Sequence, residues 1–165
     1  MSPSPDRLLE IYLADHLAAA SAGVELVRRA ARNNAGNAYG EALRTVGMEI
    51  EEDRRVLRGI VEGLGFDESK FKETIARLGE KVGRLKLNGR VRGYSPLSRV
   101  LELEGLSVGI AGKLALWQSL QSAPGLPARL PGTDLEQLAE RARQQRAEVE
   151  KQRLAAVREA FGLSP

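Results

Sequence analysis

Residues 38–64 read AYGEALRTVGMEIEEDRRVLRGIVEGL, and the spacing within them decides the fold. Apolar side chains recur at Tyr39, Leu43, Val46, Ile50, Leu57, Ile60 and Leu64 in alternating steps of three and four, and Asp53 takes the one seam position that is not apolar. That period is helical, because residues three and four apart share a helix face. Upstream, a matching seam runs through Leu9, Leu13, His16, Ala20, Gly23, Val27 and Ala30. The turn Asn33-Asn34-Ala35-Gly36-Asn37 between them is short, which makes the two helices an antiparallel hairpin. In that register Ala30 pairs with Tyr39, Val27 with Leu43, Gly23 with Val46 and Ala20 with Ile50. Continued, it sets His16 opposite Asp53, so the polar members of both seams meet at one level.

Caps and breakers place the remaining helices. The first opens at Ser4-Pro5-Asp6, a serine cap with proline at the first helical position, and runs to about Asn33. The second ends near Leu64, before Gly65. A short third helix is expected after Asp67, fading near Lys86, inside the crossover that leads to a fourth helix from Ser95-Pro96 to Leu120. Such a crossover returns along the bundle and makes the second and fourth helices parallel. Pro124, Gly125, Pro127, Pro131 and Gly132 exclude helix, and Thr133-Asp134-Leu135-Glu136 reads as a capping box opening a last helix that reaches about Phe161. The fourth helix is apolar nearly all round, with Gly105, Gly109 and Gly112 on one side and Trp117 farther along, so it is expected to be the most buried element. The last helix is its opposite, with Gln145, Arg146, Gln152 and Arg153 among its inner positions. Apolar surface that so polar a neighbour leaves uncovered reads as an interface, and a homodimer through the fourth helix would cover it.

Composition sets the outer bounds. The 165 residues suit one domain, 1–165, with an all-α, up-and-down core of Leu, Val and Ala; aromatics supply only 4%. The absence of cysteine excludes disulfides, zinc-thiolate sites and thiol catalysis. No secretory signal opens the chain and no apolar run is long enough to span a bilayer, so a cytoplasmic protein without a membrane partner is expected. A net charge of +3 falls far short of a dedicated nucleic-acid binder.

Four constellations could carry chemistry. His16 facing Asp53 is either a buried pair that fixes helix register or a base or metal ligand held by its carboxylate. Glu49, Glu51, Glu52 and Asp53 form an acidic cluster that Glu104 and Glu148 from other helices could join, and His16, Glu49, Glu52, Asp53 and Glu104 are the candidate metal ligands. The bland reading pairs these acids with Arg54, Arg55 and Arg58 on a solvated face. Glu104 itself, nearly alone in an apolar helix, calls for a cation from the last helix, Arg146 or Arg153. Finally, residues 77–99 carry Arg77, Lys81, Arg84, Lys86, Arg90, Arg92 and Arg99 against Glu80, and Arg90, Arg92 and Ser95 next to a helix N-terminus make a candidate anion site. The alternative there is a solvated crossover.

Two helical hairpins joined by a long crossover, with carboxylates at mid-height, resemble the ferritin-like superfamily from Asp6 to Phe161. That resemblance implies a bundle with carboxylates from facing helices around a metal. Where its di-iron members carry Glu-x-x-His, this chain reads Glu49-Ile50-Glu51-Glu52, and its single histidine, His16, lies on the first helix. The expectation is therefore a non-enzymatic interaction or structural protein that needs no cofactor. A carboxylate and histidine metal or redox protein, and a binder of phosphate-bearing ligands at the basic crossover, are the alternatives.

Overall fold

The computed structural model describes residues 3–66 and 94–162. Among them are four long helices: α1 (Pro5–Asn33), α2 (Ala38–Gly63), α3 (Pro96–Ser122) and α4 (Leu135–Phe161), with a 3-10 turn at Pro127–Arg129 before the last. The expected short helix between Asp67 and Lys86 lies outside the described residues. Each helix begins where a side chain can take an otherwise unpaired backbone N–H. Ser4 accepts from Arg7, Asn37 from Gly40, Ser95 from Ser98 and Asp134 from Gln137. The last of these corrects the capping box: the carboxylate of Asp134, not the hydroxyl of Thr133, closes the helix, one residue later than the motif suggests.

Contacts along the helices fix their directions. Arg29 near the end of α1 bonds Glu102 near the start of α3, and Leu26 sits against Gly105, so these two helices are antiparallel. Glu159 at the end of α4 receives hydrogen bonds from Tyr39 at the start of α2 and Arg99 at the start of α3. α4 therefore runs against both. It follows that α2 and α3 are parallel, as the crossover demands, and the helices run up, down, down, up. α1 packs on α2 and α3, while α4 packs on α3 and α2; α3 with α4 is the most extensive pairing.

One apolar cluster runs through all four helices, from Leu13 and Leu17 of α1 to Val149 and Ala156 of α4. The seam of α2 is buried as its spacing requires, from Tyr39 to Ile60. That of α1 is buried at Leu13, Val27 and Ala30, but in its middle Ala14, Leu17, Ala18 and Val24 take over, and His16, Ala20 and Gly23 are left half-buried. α3 is not the most buried element. Trp117 is wholly enclosed, yet Val108 is 73% exposed and Leu97 and Leu101 also face outward. An apolar surface all round a helix leaves its buried face unspecified, and neighbours cover only part of it.

At one end the bundle is tied by polar contacts. Asn34, buried beneath the α1–α2 turn, donates to Ala30 O (2.9 Å) and Tyr94 Oη (2.6 Å) and accepts from Arg99 Nε (2.7 Å). The Arg99 guanidinium lies 4.4 Å over the Tyr39 ring and reaches Glu159 at 2.6 Å. The turn itself is tight: Gly36 takes a left-handed φ of +89°, and a Cβ on Gly40 would run into the backbone carbonyl of Asn34.

Candidate functional site

The polar centre of the bundle is Asp53. Its side chain is 1% exposed, at the middle of the α2 seam, where the helical period points it into the core. Burying a carboxylate is costly without partners, and three residues supply them. Lys113 Nζ of α3 and Arg141 of α4 each donate to one carboxylate oxygen, and Gln145 Nε2 of α4 donates at 3.1 Å. Gln145 also accepts from Lys113 through Oε1, which closes the network. Burial pushes the Lys113 ammonium below the usual lysine range, against the pull of Asp53 toward the charged form.

This replaces the expected partner of Asp53. His16 lies on the same cavity wall as Asp53, but the hydrogen bonds on the carboxylate come from Lys113, Arg141 and Gln145. The His16 ring instead packs edge-on against Tyr12, with centroids 4.5 Å apart. Its pKa is lowered from 6.5 chiefly by burial, with Asp15 opposing. The reason is electrostatic: two cations satisfy a buried carboxylate better than a neutral imidazole can. Lys113 and Arg141 stand on helices whose facing could not be read from the α1–α2 seams.

The remaining candidates do not converge on a metal site. Among the described residues no group of three or more His, Asp or Glu side chains is placed to hold a metal ion. Glu52 pairs with Arg55 at 2.6 Å, Glu51 with Arg28 at 2.6 Å, and Glu49 is half-buried. Glu104 is exposed rather than buried, and Arg153 lies 3.7 Å from it, the partner expected from the last helix in a weaker, solvated form. Of the candidate anion site, Arg90 and Arg92 lie outside the described residues, and the Ser95 hydroxyl is engaged in capping α3.

What the sequence did not suggest is a cavity of about 270 Å³ between α1, α2 and α3. Ala19, Ala20 and Gly23 form one wall; Gly105, Gly109 and Gly112 form the opposite one, with Ile50, Leu57 and Leu106 beneath. The glycine strip of α3 thus opens a gap, except at Gly105, where Leu26 comes close. An added Cβ at Gly23, Gly109 or Gly112 would meet nothing within 4 Å. At the level of His16 the walls turn polar, with Asp53, Arg54 and Lys113, and Trp117 alongside. Trp117 is fully buried, and its Nε1 has no hydrogen-bond partner among the described residues. The two glycine- and alanine-lined stretches were legible in the sequence, but not that they face each other.

No family model, curated protein or solved structure matches this chain. No helix among the described residues is long and apolar enough to cross a membrane.

Two measurements test the site. Asp53→Ala leaves the buried Lys113 ammonium without its counter-charge, and a loss of about 3–5 kcal/mol in urea unfolding is expected. Adding Lys113→Met should return part of it, whereas simple additivity of the two losses would show that the pair is not coupled. For His16, the unfolded imidazole takes a proton near pH 6.5 while the folded one resists it. The unfolded state then binds more protons, so stability falls as pH drops through that value. The melting-temperature loss between about pH 7.5 and 5.5 should shrink in His16→Gln; an unchanged loss would place its origin elsewhere.

Proposed function

We propose that this chain is a non-enzymatic binding protein, a helical bundle that takes a small, largely apolar ligand between α1, α2 and α3. One observation carries the reading: a cavity of about 270 Å³ whose walls are mostly Ala, Gly, Leu and Ile, with a few polar groups gathered at one end. Ligand pockets have this composition, and the volume sits just below their usual span of about 300–1,000 Å³. The ion network beneath supports the same reading, because it ties α2, α3 and α4 together at the polar end of the cavity. The up, down, down, up order of the helices is what a ferritin-like architecture would have, here with the mid-bundle given to an ion network.

Toluene tests the reading, being apolar, neutral and small enough for the space. It should raise the melting temperature of the parent by mass action. Gly109→Leu, which fills the cavity where an added side chain meets open space, should abolish that response. A parent that ignores toluene would rule the binding cavity out.

A second reading, self-association through α3, rests on the outward stripe of Leu97, Leu101 and Val108. A two-fold pairing of that stripe would cover it. Trp117, already enclosed within one chain, adds nothing to the case. Light scattering should then show a dimer that Val108→Glu dissociates, and a monomer at millimolar concentration would end this reading.

A further inference from the structure

The polar end of the cavity is unbalanced in a definite direction. Its wall carries Lys113 and Arg54 as cations and Asp53 as an acid. The carboxylate is already engaged by Lys113, Arg141 and Gln145. The Lys113 ammonium has three hydrogens and gives two, to Asp53 and Gln145. One Lys113 hydrogen is left over at this end and the Arg54 guanidinium lines it too, so a group that completes it accepts hydrogen bonds. The local charge points the same way: with Arg141 included, two buried or half-buried cations share the single carboxylate of Asp53. Glu49 also acts on Lys113, through space and more weakly than Asp53 does.

The other end differs in kind. Since α1 and α3 are antiparallel, the cavity runs from His16 and Trp117 toward Gly23 and Gly105, where no polar side chain lines it. A ligand filling both ends is amphiphilic: an anionic, hydrogen-bond-accepting head at Lys113 and Arg54, and an apolar body between the two small-residue walls. We propose that the cavity binds a small monocarboxylate with an aliphatic or aromatic body, of roughly ten non-hydrogen atoms given the space. The inference rests on the binding cavity proposed above and names its ligand class.

Octanoate and octanol share an apolar chain and differ in the head, so calorimetric titration of the full chain with each isolates the inference. Octanoate should bind at least about tenfold more tightly than octanol, the scale of one charge-assisted hydrogen bond. Lys113→Met should bring octanoate down to the affinity that the same variant shows for octanol. Arg54→Gln, which removes the other cation lining that end, should weaken octanoate more than octanol. Equal or tighter binding of octanol to the parent overturns the carboxylate head while leaving the cavity as a binding site. Binding of neither, together with a failed toluene response, overturns the cavity itself. Should Lys113→Met not fold, the octanoate-to-octanol ratio in the parent and in Arg54→Gln decides.

Discussion

Asp53 sets the terms for the rest of this bundle. A carboxylate at the centre of a helix seam must either be neutralised or be surrounded, since an ion left alone in a core costs several kcal/mol. Here it is surrounded, by Lys113 from α3 and by Arg141 and Gln145 from α4. Each of those partners must approach at a fixed height. The network therefore specifies the relative register of three helices that apolar packing alone would leave free to slide. α1 contributes no hydrogen bond to it and packs on α2 and α3 through apolar contacts instead.

Small side chains where α1 meets α3 explain the cavity. Where α1 faces α3, Ala19, Ala20 and Gly23 confront Gly105, Gly109 and Gly112, and small residues usually allow two helices to close up. The two do close at one place, where Leu26 meets Gly105. Farther along, at Gly23, Gly109 and Gly112, no neighbour fills the space that a side chain would take, and that leaves the gap. The glycines cost α3 about 1 kcal/mol each in helix propensity, and the pairing with α4 along the opposite side of α3 offsets it.

Much of this was legible in the sequence, and the part that was not has a physical reason. The α2 seam, the caps at Ser4 and Ser95, the hairpin and the parallel course of α2 and α3 all follow from local spacing and chain length. Spacing also marked Asp53 as buried and polar. It could not name the partners, because they come from α3 and α4, whose inward faces are ambiguous for opposite reasons. α3 is apolar nearly all round, so its spacing singles out no inward face on which Lys113 would fall. α4 is polar on nearly all sides, so Arg141 did not stand out among its neighbours, although Gln145 did fall on the expected inner face. Glu104 drew attention because it was isolated in an apolar run, yet that run is partly solvent-facing and the acid sits outside.

The two polar networks of the molecule differ in how completely they are satisfied. At the α1–α2 turn, Asn34 donates to Ala30 and Tyr94 and accepts from Arg99, and Arg99 goes on to Glu159 beneath the Tyr39 ring. Donors and acceptors there answer one another, so the assembly has nothing left with which to recognise a ligand. Around Asp53 the carboxylate accepts from Lys113, Arg141 and Gln145, and one hydrogen of Lys113 is left over at the polar end of an apolar cavity. An ion network that opens onto apolar space in this way is where packing and the proposed recognition meet.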